Sequence, residues 1–228
     1  MYSMQYQNAA SLASERSEFI RKVYMNLALG FAGFIALEAF LVSWQPAVDL
    51  AQRMVSGNNW LIVLLAFMGV SWLANSWAIT GATLGKQYAG FPLYIPAEAV
   101  IFLPLIIFAN SFAPDTIPQA GIITAALTAG ISAYAFFSKK DFSFMGSFLT
   151  IASFVALGII ACAVLFGIQL GLWFSAAMIA FAGLVILYQT SVMIRRYRND
   201  QYVAAALGLF AAIALMFWYI LQFLISSR

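Results

Sequence analysis

Seven long apolar runs constrain this chain more than any other feature of its sequence. They cover residues 23–44, 60–80, 89–110, 117–137, 142–166, 170–194 and 202–225. Each run is close to the ~20 residues that a helix needs to cross a bilayer. The chain is 64% hydrophobic and only 8% charged, whereas soluble domains carry about 25% charged residues. We therefore predict an all-α membrane protein, a bundle of seven transmembrane helices in the lipid bilayer.

The predicted spans form one transmembrane domain, residues 23–225, after a polar tail of residues 1–22. The tail lacks the apolar core of a signal peptide, so we expect it to stay on the mature protein. The connections between the runs are too short to form a soluble domain. Because Lys140 stands directly before the fifth run, we expect the fourth and fifth spans to form a tight hairpin.

Basic residues divide unevenly between the two ends of the predicted bundle. Two of them, Arg53 and Arg228, fall at one end, and nine fall at the other. The nine are Arg16, Arg21, Lys22, Lys86, Lys139, Lys140, Arg195, Arg196 and Arg198. Since cytoplasmic loops are rich in Lys and Arg, we predict a cytoplasmic amino terminus and a carboxy terminus outside. The net charge of +3 then comes from these loops and indicates no nucleic-acid partner.

Small residues are concentrated in the fourth and seventh spans. They allow helix backbones to approach closely in lipid, where packing drives association. We therefore expect both spans to be central in the bundle. We also expect the hydroxyl and amide side chains of Asn75, Ser76 and residues 188–191 to join helices by hydrogen bonds.

Two acidic residues lie inside predicted spans, where a charge costs at least ~2.5–3.5 kcal/mol at the helix centre. Glu98 is near the middle of the third span, and Glu38 is in the first, displaced toward the outside. No basic side chain lies at either depth, so each carboxyl group must be protonated, bind a cation or face water. One hypothesis is a proton or cation site at Glu98, with or without Glu38. The other is a neutral carboxyl group that is hydrogen-bonded within the bundle.

The composition argues against several classes of enzyme. The chain has no histidine and a single cysteine, Cys162. A Ser-His pair, a histidine zinc site and a disulfide are therefore excluded. No aspartate lies in the middle of a span, as an aspartyl intramembrane protease would require. We expect no enzyme activity and no catalytic residue, metal site or cofactor.

Short strings along the chain resemble the Bax inhibitor-1 family, in its bacterial YccA-like branch. They are residues 19–24, 87–90, 97–99, 140–146, 187–190 and 200–205. The strings keep their order over nearly the whole chain. The resemblance implies seven helices with the amino end inside, in the bacterial inner membrane.

The family also implies a calcium leak that protons gate through two aspartates, one in the sixth helix and one in the seventh. Here Gln189 stands at the first position and Ala212 at the second. An amide and a methyl group cannot share a titrating proton, so the pH switch does not carry over. Gln189 can still donate or accept a hydrogen bond at that site.

Two functions remain open from the sequence. In the first, the protein is a membrane regulator that binds other membrane proteins. The resemblance offers the membrane-anchored ATP-dependent protease as one partner, with residues 1–18 as a contact. In the second, Glu98 and Glu38 line a pH-dependent calcium or proton leak. The first predicts stable co-purification without flux, and the second predicts flux that depends on pH and on Glu98.

Overall fold

The computed structural model describes the backbone of residues 2–79, 84–138 and 140–228. It describes the side chains from Ser14 onwards, apart from residues 79–84, 86, 87 and 139. Within these ranges the structure contains helices and no strands. The helices are α1 (Tyr2–Ser43), α2 (Gln45–Met54), α3 (Asn59–Ile79), α4 (Leu84–Phe112), α5 (Thr116–Phe137), α6 (Gly146–Phe166), α7 (Gly171–Arg195) and α8 (Tyr202–Ser226). A 3₁₀ turn, Ser143–Met145, leads into α6.

Seven of the described helices are long and apolar enough to cross a membrane, and only α2 is not. This confirms the predicted seven-helix transmembrane bundle. The predicted seventh run, residues 202–225, differs from α8 by one residue at its end. Helix α1 includes residues 2–22, which were predicted as part of a polar tail.

Helix α2 was not predicted, because it is too short and too polar to look like a span. Proline stands at its start, where the missing N–H has no intrahelical partner to lose. Its buried side consists of Ala47, Ala51 and Met54. Each of these residues follows the previous one by about one helical turn. Helix α2 packs through this side against the bundle, next to α1, α3 and α4.

Helix α8 is the centre of the bundle, as its small residues predicted. Buried residues make up 72% of this span, and it packs against α1, α3, α4, α5 and α7. The same prediction is wrong for α5, of which 22% is buried. Two of its glycines, Gly121 and Gly130, face open space. Small residues permit close packing, but their number does not fix which face of the helix carries the contact.

The expected tight hairpin of the fourth and fifth spans is also wrong. Helix α6 packs against α7 and α3 rather than along α5. The connecting segment is responsible, since Asp141 and Ser143 bind side chains near the end of α7. These contacts direct α6 away from α5. Only 11% of α6 is buried, which makes it one of the two least covered spans.

The basic residues meet at one end of the bundle, as the uneven division predicted. Arg16 reaches the end of α7, Arg195 binds the carbonyl of Lys140, and Lys22 lies over the ring of Tyr202. The side chains of Lys86 and Lys139 lie outside the described residues. Which side of the membrane this basic end faces stays a prediction.

Candidate functional site

Glu98 is buried in α4, with 4% of its surface exposed. It interacts with the hydroxyl of Tyr94, which lies one turn earlier on the same helix. Its second carboxylate oxygen, Oε2, has no hydrogen-bond partner among the described residues. Buried polar atoms are usually paired, so an unpaired carboxylate oxygen is a candidate for binding a ligand or a proton.

Glu98 lines an apolar cavity of about 1090 Å³, which we call the α4–α6 cavity. Its walls come from α2, α3, α4, α6, α7 and α8, mainly through aliphatic and aromatic side chains. The cavity extends to the α2–α3 and α6–α7 turns, where Gly57 and Gly167 line it. Glu98 is the one ionisable acid among its described lining residues.

Glu38 is buried on α1, with 6% of its surface exposed, and it does not line the α4–α6 cavity. Neither of its carboxylate oxygens has a hydrogen-bond partner in the described part of the chain. It therefore makes no direct hydrogen bond to Glu98. An unpaired buried carboxyl group of this kind is expected to stay neutral.

A pair of phenylalanines packs between the two helices that carry these carboxyl groups. The rings of Phe34 and Phe102 meet edge to face with their centroids 5.3 Å apart. Glu38 lies one turn after Phe34, and Glu98 lies one turn before Phe102. The sequence hypothesis that they form one site lacks a direct contact to support it.

Aromatic side chains fill the interior between Glu98 and the basic end of the bundle. They surround Phe210 of α8, which is fully buried. The rings of Phe91 and Tyr94 lie 5.8 and 6.0 Å from the Phe210 ring, and both precede Glu98 on α4. Tyr94 is the polar member of this group, and its hydroxyl interacts with Glu98.

Gln189 lies on α7 opposite Gly208 of α8, which is one turn from Ala212. Gln189 of α7 faces Gly208 of α8, so a Cβ at position 208 would lie 2.8 Å from Oε1 of Gln189. Ala212 follows Gly208 by one turn and is buried. The two positions at which the family resemblance implies aspartates therefore form one site, which holds an amide here. Helix α8 separates this site from Glu98, because α7 and α4 pack on α8.

Hydroxyl groups near the end of α7 join helices, as the sequence predicted. Ser132 of α5 and Thr190 of α7 approach to 3.5 Å. The backbone N–H of Phe142 donates to Oγ of Ser191 at 3.0 Å, and Ser191 donates to Oδ1 of Asp141 at 3.4 Å. These bonds fix the α5–α6 connection on α7.

Asp141 and Arg196 form a polar network that sequence reasoning missed. The backbone N–H of Ser143 donates to Oδ1 of Asp141 at 2.9 Å, and Arg196 donates to Oδ2 at 3.3 Å. The pKa of Asp141 falls from 3.8 to about 2. The main cause is the hydrogen bond from the backbone N–H of Ser143, and the Ser143 side chain and the charge of Arg196 add to it. The only signal in the sequence was the string 140–146, which the family resemblance used.

Acid is expected to weaken this network. A depressed pKa in the folded state stabilises the fold above the ordinary pKa and loses that contribution as pH falls toward about 2. The thermal midpoint of the wild type in detergent should therefore fall more steeply between about pH 4 and pH 2 than that of Asp141→Asn. Asp115→Asn is the matched control, since Asp115 makes no side-chain cap bond to α5. Parallel curves for wild type and Asp141→Asn would contradict the assignment.

Arg16 makes a second set of polar contacts that the sequence did not predict. The sequence showed only that this residue is basic. Its guanidinium donates to the carbonyls of Met193, Ile194 and Tyr197. It also donates to Oδ1 of Asn199 at 2.9 Å. Carbonyls at the end of a helix lack intrahelical donors, and a cation there also interacts well with the helix dipole. Arg16 therefore fastens α1 to the end of α7.

The described residues contain no group of three His, Cys, Asp or Glu side chains placed to hold a metal ion. Two chemical features remain. One is the Gln189–Ala212 site, which can donate or accept hydrogen bonds. The other is Glu98, a single carboxyl group at the wall of an apolar cavity.

Comparisons with known proteins extend over nearly the whole chain. A family model described as "Inhibitor of apoptosis-promoting Bax1" matches residues 16–228. An uncharacterised protein of Pseudomonas aeruginosa is 29% identical over 97% of this chain and 96% of its own length. The Golgi anti-apoptotic protein of vaccinia virus (strain Lister) is 27% identical over 93% of this chain and 87% of its own length. Protein LIFEGUARD 4 of Arabidopsis thaliana is 26% identical, with coverages of 87% and 81%. The chain is therefore a multi-pass membrane protein of the Bax inhibitor-1 family.

Proposed function

We propose that this protein is a non-catalytic regulator of the bacterial inner membrane, with a cytoplasmic amino terminus, that acts by binding another membrane protein. The observation that carries the proposal is the pair Gln189 and Ala212 at the α7–α8 site. An amide packed against Gly208 cannot exchange protons as two aspartates would. Gln189 packs on Gly208 and provides no pH-dependent charge.

The description of one relative favours a regulatory role for this chain over a catalytic one. The viral relative is described as an anti-apoptotic protein, which is a regulatory description. The membrane-anchored ATP-dependent protease is the partner that the YccA-like resemblance brings forward. We propose it as the first partner to test.

Helix α6 is the surface that we propose for the partner. It touches the bundle only sparsely, through α7, α3 and the 3₁₀ turn. Its outer side presents large apolar side chains, including Phe148, Ile151 and Phe154. A partner helix that packs here covers apolar surface without breaking contacts of the bundle, and aromatic rings provide large contact areas for it.

Site-specific photo-crosslinking in native membranes tests this proposal. A photoreactive residue at Phe154 of α6 should give a protein adduct of defined mass, which mass spectrometry identifies. The same residue at Ile122 is the control, because Ile122 is equally exposed on α5, which carries no proposed contact. Adducts with lipid alone at position 154, from protein that is folded and inserted, would contradict binding through α6.

A leak of calcium or protons through Glu98 is the alternative function. Two observations favour it: Oε2 of Glu98 is unpaired among the described residues, and Glu98 is one of the residues that line the cavity. The apolar rings around Phe210 count against it, and so does the lack of a hydrogen bond between Glu38 and Glu98. This alternative requires flux that depends on pH and is lost in Glu98→Gln.

A further inference from the structure

We infer that the α4–α6 cavity binds a lipophilic organic cation, with the carboxylate of Glu98 as its counter-ion. The binding of this ligand is independent of whether α6 also contacts a protein partner.

The charge distribution of the cavity selects a cation. Glu98 is the one residue of ionisable acid or base type, other than tyrosine, among the described lining residues. No Lys or Arg therefore repels a cation there. A buried carboxylate without a partner is strongly unfavourable, and an opposite charge that enters the same space offsets this cost. Oε2 of Glu98 has no hydrogen-bond partner among the described residues, so no protein donor competes with a cation for its charge.

The chemistry of the walls selects an organic cation over a metal ion. Calcium takes six to eight oxygen ligands. The cavity offers one carboxyl group, two glutamine amides and two hydroxyl groups, spread over three helices among aliphatic and aromatic side chains. Aromatic faces, by contrast, attract organic cations that are already poorly hydrated. Phe102 and Trp218 meet edge to face at 5.0 Å, one turn beyond Glu98, and Trp60 stacks on Trp218 at 6.1 Å.

The size and access of the cavity fit a ligand of this class. Its volume of about 1090 Å³ lies at the upper end of the ~300–1,000 Å³ that is usual for small-molecule sites. Leu157 and Ile160 of α6 form one wall. Because α6 packs only sparsely on the bundle, a ligand can enter from the turn end or from the bilayer without displacing the core.

Binding of radiolabelled tetraphenylphosphonium to the full chain in phosphatidylglycerol nanodiscs tests the inference, with empty nanodiscs subtracted. We expect saturable binding to the wild type and a loss of affinity of about thirtyfold or more in Glu98→Gln, as for removal of one partner of a buried charge pair. Glu38→Gln is the matched control, because Glu38 is a buried acid outside the cavity. Tetraphenylborate, an anion of nearly the same shape, should show no saturable binding.

A second pair of variants leaves Glu98 in place. Ile160→Trp fills the cavity from α6 and should abolish binding, whereas Ile159→Trp, on the exposed side of the same helix, should preserve it. Wild-type affinity in folded Glu98→Gln or Ile160→Trp protein would overturn the inference. So would saturable binding of tetraphenylborate that matches that of tetraphenylphosphonium.

The ammonium group of a lipid and a free lipophilic amine share the required chemistry. Repeating the titration in nanodiscs that contain phosphatidylethanolamine separates the two sources. Competition by this lipid, dependent on Glu98, assigns the site to a lipid headgroup. Undiminished tetraphenylphosphonium binding, together with competition by dodecyltrimethylammonium, assigns it to a free amine.

Discussion

Gly90→Ala is expected to lower the free energy of unfolding by about 1–3 kcal/mol, the usual range for an overpacked interior. Gly90 of α4 lies against the backbone of α3, and a Cβ at this position would be 2.6 Å from the carbonyl oxygen of Ala74. A backbone carbonyl cannot rotate away as the end of a side chain can, so the two helices must separate. Ala74 and Ala78 are almost fully buried at this contact, so the separation also loses close packing.

Unfolding of the purified protein by sodium dodecyl sulfate, followed by circular dichroism, measures this effect. Gly69→Ala is the matched control in α3, because no atom lies within 4 Å of the added Cβ. Alanine also has the higher helix propensity, so the control should be as stable as the wild type or slightly more stable. Equal stability of the two variants would show that α3 and α4 are not packed through Gly90.

Arg16→Ala is expected to cost about 2–3 kcal/mol of stability, because charged hydrogen bonds to the end of α7 are lost together. Arg16 binds three carbonyls and Asn199, and its guanidinium lies 4.3 Å from the centre of the Phe19 ring. Lysine should not replace it, because an ammonium group cannot reproduce the planar fork that spans several acceptors. Both variants should release the α7–α8 connection before the rest of the bundle unfolds.

Hydrogen–deuterium exchange of the amides at residues 196–201 measures this release directly. Faster exchange is expected there in Arg16→Ala and Arg16→Lys. Arg21→Ala is the control, since Arg21 is an exposed arginine on the same helix. If Arg21→Ala accelerates exchange as much as Arg16→Ala, the effect is one of net charge and the proposed contact is wrong.

The sequence predicted those parts of the fold that depend on local composition. The seven spans follow from apolar length, and the central place of α8 follows from small residues that are buried on nearly every side. The same reasoning failed for α5, because glycine and alanine allow contact without specifying a partner. Helix α2 was missed because its apolar residues occupy only one side of a short helix.

The candidate site was predictable only residue by residue. The places of Glu98 and Glu38 within membrane-spanning helices follow from the apolar runs, and the structure adds that both residues are buried. The lack of a hydrogen bond between them depends on how α1 and α4 pack, which no local pattern encodes. The contact of Arg16 with α7 joins residues more than 170 positions apart. Such contacts follow from the whole bundle and not from any segment of it.

The central claim is that this protein regulates a partner and does not conduct ions. The most direct test of this claim is a measurement of ion flux in proteoliposomes. Liposomes that hold calcium- and proton-sensitive dyes would carry the wild type, Glu98→Gln or Glu38→Gln. Flux would be measured from about pH 5 to pH 8, the range in which buried carboxyl groups can titrate. We predict no flux above empty liposomes from folded wild-type protein at any pH. Flux that rises with a change of pH and disappears in Glu98→Gln would contradict the claim and make Glu98 part of a conduction path.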